Sequence, residues 1–403
     1  MLTLRKNRII REIFPNLLTQ TKTLKLSGLR IAVNTRLLLK DRLEGIGWFT
    51  YENLKRITTS HPDDHFYFLF DRPFSEEFIF ADNITPIILS PQARHPMLYY
   101  IWFQFSVKKL LGDLKPDLFI SPDGYMPLDL KCKSLIVFHD LNFEHYPKDV
   151  PLFERLYYRT FFPKFAKQAN CIVTVSQFSK DDIASIYDVP HERIDVVYNG
   201  ANEKYAPMSI EQQNIVRGKI TDGTPYFYFI GSLHPRKNLP NLFRAFDIFR
   251  KSSATKVNLV ITGARKWWTK DIESVYNTMS FKDDVIFTGR LPVEKVRDLM
   301  ASAIALTYVS YFEGFGIPIA EAFKCGTPVI TANVTSMPEI AGDAAITVDP
   351  FDHFAIAEAM KLIAENPDVR QNLKDKGLQR SELYTWDKSA ENLWKSIERV
   401  TQE

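Results

Sequence analysis

The sequence of 403 residues predicts an α/β protein made of two domains. A single hydrophobic core seldom grows beyond roughly 250–300 residues, so a chain of this length is expected to divide. Hydrophobic residues make up 45% and charged residues 25% of the chain, which excludes disordered, collagen-like and coiled-coil classes. From Leu29 onward, short apolar runs alternate with longer helical segments, the pattern of a parallel sheet covered by helices on both faces.

Two series of apolar runs are predicted to form the strands of two sheets. The first series occupies residues 29–35, 65–70, 84–90, 117–123, 134–140, 171–176 and 194–200. The second series occupies residues 226–232, 257–263, 284–290, 303–310, 327–333 and 344–350. Because ligands gather at the carboxyl ends of parallel strands, we expect the two sheets to point into one cleft.

A polar stretch separates the two series. Residues 201–224 include Pro207, Gly218 and Gly223, so we interpret them as the connection between the domains, with the boundary near residue 210. The predicted organisation is a basic leader (1–28), a first domain (29–210), a second domain (211–385) and a C-terminal segment (386–403). Leu393, Trp394 and Ile397 recur at helical spacing in the last segment.

The leader carries most of the positive charge of the chain. Residues 1–30 hold seven basic residues and one acid, a net charge of +6, and because the whole chain carries +3 the remainder is slightly acidic. This distribution argues against a general nucleic-acid surface. The leader is also amphipathic, although Pro15 interrupts the pattern, and two interpretations stay open: contact with an anionic membrane surface, or a solvated tail.

Other features bear on the compartment. No run of 18 apolar residues and no apolar signal core occur, so neither membrane spanning nor secretion is predicted, and we expect a cytoplasmic protein, peripheral at the inner face of the membrane if the leader binds lipid. Cys132, Cys171 and Cys325 are too far apart in the sequence for a zinc cluster or a disulfide framework and are interpreted as core thiols.

The segment 313–330 carries the strongest signal for chemistry. Glu313 and Glu321 flank a glycine-containing turn, and Pro318 suits the first position of a helix. The free amides at this helix start would bind an anion such as phosphate; they belong to Gly314, Phe315, Gly316 and Ile317. Glu321 can accept hydrogen bonds from a ribose diol and Glu313 from a bound sugar, whereas the simpler interpretation is that both acids complement the helix dipole.

Polar residues follow several other predicted strands. Lys237 and Arg236 lie after the first strand of the second domain, where cations can neutralise a diphosphate, or they are solvated surface cations. His139 and Asp140 end the strand 134–140 and are candidate site residues. The alternative is that His139 is a buried structural residue whose hydrogen bonds are made within the protein. Arg290, at the end of the strand 284–290, is a further cation that could bind the same ligand.

Two motif searches are negative. A complete G-x-G-x-x-G fingerprint is missing, because Gly45-Ile46-Gly47 is only a fragment and follows its strand too late, so dinucleotide binding is disfavoured. The sequence also lacks a D-x-D pair, in which two aspartates separated by one residue hold a metal ion against a diphosphate. We therefore predict no metal and no other cofactor, with Lys237, Arg236 and helix amides stabilising an anionic leaving group.

The segment EGFGIPIAEAF resembles the E-x7-E motif of the retaining glycosyltransferase family four, which has the GT-B fold of two Rossmann-like domains. The other matching segments are GIGWFTYENL (45–54), VFHDLNFEHYP (137–147), TVSQFSKDDI (174–183), GSLHPRKNL (231–239) and TSMPEIAGDAAITVDP (335–350). The resemblance implies that Glu313 holds the donor sugar and Glu321 the ribose. It also implies that the C-terminal helix returns to the first domain.

The same resemblance implies further roles. Lys237 would contact the donor diphosphate, His139 the donor sugar near the reacting carbon, and Asp140 would orient that sugar or the acceptor. Gly45 and Gly47 look like the flexible loop near the phosphate and acceptor, or they are a simple helix start. Family members carry an arginine where this chain has Ser232, so part of the diphosphate clamp is absent, and Arg236 is the candidate substitute.

The resemblance predicts a retaining, metal-independent hexosyltransferase of surface-polysaccharide synthesis, similar to bacterial mannosyltransferases. The donor is a nucleoside-diphosphate sugar, GDP-mannose being preferred to a UDP-hexose, and the acceptor is a saccharide or a lipid-linked saccharide. The alternatives are a non-catalytic nucleotide-sugar binding partner of another enzyme, and a sugar-nucleotide epimerase or hydrolase on the same fold. Release of free nucleoside diphosphate would exclude the first of these.

Overall fold

The computed structural model describes residues 28–265 and 268–402 of the chain. Apart from Gly28, the basic leader predicted for residues 1–28 therefore lies outside the described residues. Each of the thirteen predicted apolar runs overlaps a β-strand. The predicted α/β class with two parallel, Rossmann-like sheets is confirmed.

The first sheet has seven parallel strands in the order β3-β2-β1-β4-β5-β6-β7. Its strands are β1 (Arg30–Asn34), β2 (His65–Phe70), β3 (Ile84–Ile88), β4 (Leu118–Ser121), β5 (Lys133–Phe138), β6 (Cys171–Thr174) and β7 (Ile194–Val196). Its helices are α1 (Gly45–Ser60), α2 (Pro96–Ile101), α3 (Lys108–Leu114), α4 (Asn142–His145), α5 (Leu152–Gln168) and α6 (Gln177–Tyr187). A π-helical turn, Trp102–Val107, joins α2 to α3.

The second sheet has six parallel strands in the order β10-β9-β8-β11-β12-β13. Its strands are β8 (Tyr226–Ile230), β9 (Asn258–Thr262), β10 (Val285–Gly289), β11 (Ala305–Tyr308), β12 (Val329–Ala332) and β13 (Ile346–Val348). The helices of the second half are α7 (Ile210–Thr221), α8 (Leu239–Ser252), α9 (Lys270–Thr278), α10 (Val293–Ser302), α11 (Ile317–Lys324), α12 (Met337–Ala341), α13 (His353–Glu365) and α14 (Pro367–Ser381).

Strand residues are buried on both faces of each sheet. In β1, Ile31 and Val33 pack into one apolar cluster with Phe49 of α1, whereas Ala32 packs into a second cluster with Trp102. Parallel sheets need this two-sided cover, because the crossover helices lie over both faces. The strands therefore read as continuous apolar runs rather than as alternating patterns, which is why the sequence locates them well.

The structure differs from the sequence prediction in the connecting segment. Residues 201–224, interpreted as a polar connection, contain the 12-residue helix α7. Ser209 caps this helix, its hydroxyl accepting from the amide of Gln212 while the Gln212 side chain accepts from the amide of Ser209. The helix packs against α10 but keeps Ile210 and Ile215 exposed, so its apolar pattern is weak. The domain boundary near residue 210 stays a prediction.

The last helix lies against the first domain. Helix α15 (Trp386–Gln402) contacts α1, β5 and β6. Arg56 of α1 donates to Asp387 at 2.5 Å, and Lys133 of β5 donates to the carbonyl of Val400 at 2.9 Å. The chain thus crosses back after completing the second sheet.

Candidate active site

The carboxyl ends of the two sheets meet at a close backbone contact. His139 and Asp140 follow β5, and Gly314 lies in the loop between β11 and α11. A Cβ added to Gly314 would lie 1.9 Å from the carbonyl oxygen of His139 and 2.9 Å from the Cβ of Asp140. Only glycine permits this approach, so the predicted sugar-binding loop touches the predicted His139–Asp140 pair directly.

Hydrogen bonds hold the two domains together beside this contact. The hydroxyl of Ser176 donates to the carbonyl of Gly314 at 2.6 Å, and the hydroxyl of Ser179 donates to the same oxygen at 3.3 Å. Ser176 is also the N-cap of α6 and accepts from the amide of Ser179. The start of α6 in the first domain is therefore fixed to the loop of the second domain.

Glu339 of α12 provides a second link to α6. Its carboxylate accepts hydrogen bonds from the amides of Gln177 and Phe178 at 2.8 and 3.0 Å, and from the hydroxyl of Tyr198 at 2.9 Å. A carboxylate at a helix N-terminus satisfies free amides and complements the helix dipole. One acid of the second domain thus completes the cap of a helix in the first.

Glu313 is the centre of a buried ionic cluster. Lys237 donates to its Oε1 at 2.5 Å, Arg236 to its Oε2 at 2.8 Å, and the hydroxyl of Tyr308 to its Oε1 at 2.9 Å. Lys237 also donates to Tyr308. Arg236 lies 3.9 Å from Asp140, which connects the cluster to the first domain. The structure therefore brings together Glu313, Lys237 and Arg236, three of the predicted site residues.

Burial and charge shift the ionisation of this cluster. Burial alone would raise the pKa of Glu313, but Arg236 and Lys237 lower it to about 2. Burial lowers the pKa of Lys237 to about 8, although Glu313 opposes the shift. Burial would also lower the pKa of Arg236, but Glu313 and Asp140 raise it. Two cations and two acids balance here, so the charges of Lys237 and Arg236 are held in fixed positions by their acidic partners.

The loop before α11 keeps its amides unengaged. Among the described residues, no hydrogen bond uses the amides of Gly314, Phe315 or Gly316. Gly316 has a φ of +93° at the N-cap of the eight-residue helix α11, with Ile317 and Pro318 forming its first turn. A left-handed N-cap of this kind favours glycine. The amides predicted to bind an anion are thus free beside the ionic cluster.

Glu321 lies apart from the cations. It lines a cavity of about 190 Å³ shared by both domains, together with Trp48, Trp386, Tyr205 and Ile230. Burial raises the pKa of Glu321 to about 8, opposed by a hydrogen bond from Tyr205. The two predicted acids therefore occupy different environments, one paired with cations and one beside apolar walls.

His139 is held by the first domain. Its Nε2 lies 2.8 Å from the carbonyl oxygen of Pro122, so this nitrogen carries the proton and donates. The ring packs edge-on against Phe49 of α1 at 5.1 Å between centroids. Burial lowers the pKa of His139, against the raising effect of the Pro122 carbonyl. The ring is therefore neutral at physiological pH, with Nδ1 as an acceptor.

The remaining predicted residues are less closely placed. Gly45 and Gly47 lie in the first turn of α1, not in a loop before a helix, because the extended chain already ends at Glu44. A Cβ on Gly47 would lie 3.2 Å from the carbonyl oxygen of Leu37, so this glycine serves close packing. Ser232 is exposed in the loop after β8. Arg290 is exposed and makes no hydrogen bond or ion pair with another described residue, and it follows the edge strand β10, two strands from β8.

Matches to known families decide the class of the chain. The family model described as Glycosyl transferases group 1 matches residues 211–380, and the model described as Glycosyltransferase Family 4 matches residues 56–205. The chain belongs to the glycosyltransferases that these two family models describe. It is therefore an enzyme of the hexosyltransferase class, and the predicted family is confirmed.

Named relatives and a solved structure agree with this class. The glycosyltransferase is 26% identical to O-antigen chain mannosyltransferase B of Escherichia coli, over 87% of this chain and 94% of the relative. It is 28% identical to O-antigen chain mannosyltransferase RfbU of Salmonella typhimurium, over 73% of this chain and 80% of the relative. Its fold matches sucrose-phosphate synthase of Thermosynechococcus elongatus with a TM-score of 0.75 at 17% identity, covering 92% and 98% of the two chains.

Sequence reasoning missed a buried ion pair in the first domain of the glycosyltransferase. Arg36 follows β1 and Asp123 follows β4, and Nε of Arg36 donates to Asp123 at 2.7 Å. The guanidinium lies over the rings of Tyr99 and Tyr125, at 5.0 and 4.7 Å from their centroids. The sequence contains a signal for this pair, because a charged residue shortly after an apolar strand marks the carboxyl edge of a parallel sheet.

The amide cap by Glu339 and the hydroxyl of Tyr308 were also missed. The carboxylate of Glu339 contacts residues 141 to 162 positions away, and Tyr308, although only five positions before Glu313, ends an apolar strand, so no local pattern predicts either role. Two searches of the described residues are negative: no helix in them is long and apolar enough to cross a bilayer, and no group of three or more metal-ligating side chains occurs in them.

Proposed function

We propose that the glycosyltransferase moves mannose from GDP-mannose to a saccharide or lipid-linked saccharide acceptor, with retention of the anomeric configuration. The observation that carries the proposal is the buried cluster of Lys237, Arg236 and Glu313 next to the free amides of Gly314 and Phe315. Cations and amides that converge on one point fit a diphosphate. The O-antigen mannosyltransferases among the relatives favour mannose and surface-polysaccharide synthesis.

The donor would be held mainly by the second domain. Its diphosphate would lie on Lys237 and Arg236, its hexose on Glu313 and the adjacent amides, and its ribose on Glu321 in the cavity beside Trp48. Arg236 would supply the positive charge that Ser232 does not. Gly45, Gly47 and Arg290 stay candidates for the rim of this site.

The acceptor would be held mainly by the first domain. His139, Asp140 and the Arg36–Asp123 pair all follow the adjacent strands β1, β4 and β5, so they form one polar edge. Neighbouring strands are about 4.8 Å apart, and β4 lies between β1 and β5, so Arg36 and His139 are separated by about 9.6 Å along this edge. A guanidinium over aromatic rings suits the hydroxyls and apolar face of a sugar.

Transfer would proceed without a metal ion. The bond between the sugar and the diphosphate breaks, the bond to the acceptor oxygen forms on the same face, and the acceptor proton passes to the departing diphosphate. Lys237, Arg236 and the free amides would stabilise the charge that develops on that leaving group. Neutral His139 would accept a hydrogen bond at Nδ1 and so orient the transferring sugar.

The nucleotide can be identified by thermal unfolding against GDP, UDP, ADP and dTDP. A ligand at 100 times its dissociation constant adds about 2.7 kcal/mol to stability, so the cognate diphosphate should stand out. We expect GDP to give the largest rise. A larger rise with UDP would replace the donor by a UDP-hexose, and no rise with any of the four would contradict a nucleotide site.

A further inference from the structure

Exposed apolar side chains concentrate on one face of the first domain. We call this face the apolar face, and it consists of six residues of α2, the π-helical turn and α5. They are Met97 (66% exposed), Tyr100 (40%), Phe105 (60%), Leu152 (53%), Phe153 (66%) and Leu156 (54%). Six large apolar groups exposed on two neighbouring helical segments exceed the scattered exposure that an ordinary surface shows.

The two segments form one continuous surface. The π-helical turn makes α2 and α3 a single helical rod over residues 96–114. Ring contacts join this rod to α5: Tyr100 lies 5.5 Å from Phe161, and His95 lies 6.3 Å from Phe153, between centroids. The apolar face is therefore a patch rather than six separate side chains.

Exposed cations surround and interrupt this patch. They are Arg94, Lys109, Arg159, Lys164 and Lys167. None of these five side chains forms an ion pair with another described residue. The ammonium of Lys164 lies 5.5 Å from the ring of Phe161, so positive charge and apolar surface are interleaved. Leucine, phenylalanine and methionine with unpaired basic neighbours are the composition that partitions into an anionic membrane interface.

We propose that the apolar face docks the enzyme onto an anionic lipid bilayer. Leu152, Phe153 and Leu156 in the first turns of α5 would enter the headgroup region, while Arg159 and Lys164 would contact lipid phosphates. A second copy of the chain fits less well, because a symmetric interface would place the same unpaired cations against one another. No residue of this surface belongs to the basic leader.

The apolar face lies close to the part of the first domain that would bind the acceptor. Met97 and Tyr100 are exposed on α2, and Tyr99 of the same helix lies over Arg36 at the acceptor edge of the first sheet. A bilayer on the apolar face would thus lie beside the polar edge that would take the acceptor. This last step rests on the proposed function; the docking itself does not.

The test is co-sedimentation of the full-length protein with vesicles, without donor or acceptor. One set of vesicles contains equal parts phosphatidylglycerol and phosphatidylcholine, and the other phosphatidylcholine alone. The double variant Phe153→Ser/Leu156→Ser removes apolar area, and Arg159→Glu/Lys164→Glu reverses charge. The matched control is Ile210→Ser/Ile215→Ser, which removes exposed apolar residues of α7 in the second half. A further variant lacks residues 1–20.

We expect binding to the anionic vesicles that weakens by about tenfold or more in both face variants, falls at high salt and is unchanged in the control. Removal of residues 1–20 should leave binding sensitive to the face variants. The proposal is overturned if the face variants bind like wild type, if deletion of residues 1–20 alone abolishes binding, or if sedimentation velocity reveals a dimer that Phe153→Ser dissociates. GDP-induced stabilisation of every variant checks folding and the nucleotide site independently.

Discussion

The pKa values of Glu313 and Glu321, which lie eight positions apart, are shifted in opposite directions. Glu313 has its pKa lowered to about 2, because the attraction of Arg236 and Lys237 exceeds the effect of burial. Glu321 has its pKa raised to about 8 by burial, with only a hydrogen bond from Tyr205 in opposition. At neutral pH, Glu313 is therefore a carboxylate that orients cations, and Glu321 is a protonated acid that can both donate to and accept from a diol.

Substitution of these two acids should separate two functions. Glu321→Ala should weaken binding of free GDP by about tenfold, because hydrogen bonds to the ribose are lost. Glu313→Ala should lower kcat by roughly 10²–10³-fold yet retain or strengthen GDP binding, because it releases Lys237 and Arg236 for the diphosphate. Calorimetric titration and initial rates measure both effects. Equal losses of GDP affinity in the two variants would refute the assignment.

The pH dependence of GDP binding should report the titration of Lys237. Its pKa is lowered by burial to about 8, so the ammonium is charged below that pH and loses its charge above it. GDP affinity should therefore fall as pH rises through 8, by roughly tenfold for the loss of one charge-assisted bond. Glu321 titrates in the same window, so the comparison uses Glu321→Gln as background. Lys237→Arg should flatten the profile, and a profile unchanged by that variant would exclude Lys237 as the titrating group.

At the scale of elements, each domain presents the carboxyl ends of its strands to the other. The ends of β5 and β11 meet through Gly314, and the start of α6 is held by Gly314 and Glu339. These links are short and local, so the polar ends of the two sheets meet only when both domains are apposed. His139, Arg236 and Glu313 come from segments that follow strands, whereas Glu321 lies in α11.

Contact at Gly314 should be essential for activity. In Gly314→Ala, the new methyl group would lie 1.9 Å from the carbonyl oxygen of His139, so the domains must separate there. We expect turnover to fall by about 10²-fold or more, since a displacement of this size disrupts the reacting geometry. GDP binding by the second domain should survive. Gly218→Ala is the matched control, because a Cβ on Gly218 meets nothing within 4 Å. Full activity of Gly314→Ala would contradict the apposed arrangement.

Elements were more predictable from the sequence than contacts between them. Each strand is a short apolar run, and burial on both faces makes such runs distinct in an α/β chain. Helix α7 was missed because Ile210 and Ile215 stay exposed, so its pattern is mostly polar. Lys237 and Arg236 were predicted because they follow a strand end, and Glu313 because it flanks the glycine-containing turn before a helix, whereas Ser176 and Glu339 act across long sequence separations. Arg36 follows a strand end as well, but it was overlooked.

At the scale of the whole molecule, the proposed stabilisation of the leaving diphosphate depends on the distribution of charge around it. Lys237 and Arg236 offset Glu313 and Asp140, and the free amides add further donors. In the proposed reaction, these groups would stabilise the departing diphosphate without a divalent ion. We therefore expect activity in EDTA to stay within about twofold of the untreated enzyme. Loss of activity in EDTA and its recovery with magnesium or manganese would require a metal in the reaction.

The central claim is retaining transfer of mannose from its nucleotide, and a proton NMR time course tests it most directly. The full-length protein is incubated with GDP-α-D-mannose and octyl α-D-mannopyranoside, and the first anomeric signal of the product is recorded together with GDP. We predict an α-mannoside formed in step with GDP, at a rate that depends on the acceptor. A β-mannoside, free mannose released at the same rate without acceptor, or the absence of any GDP would contradict the account.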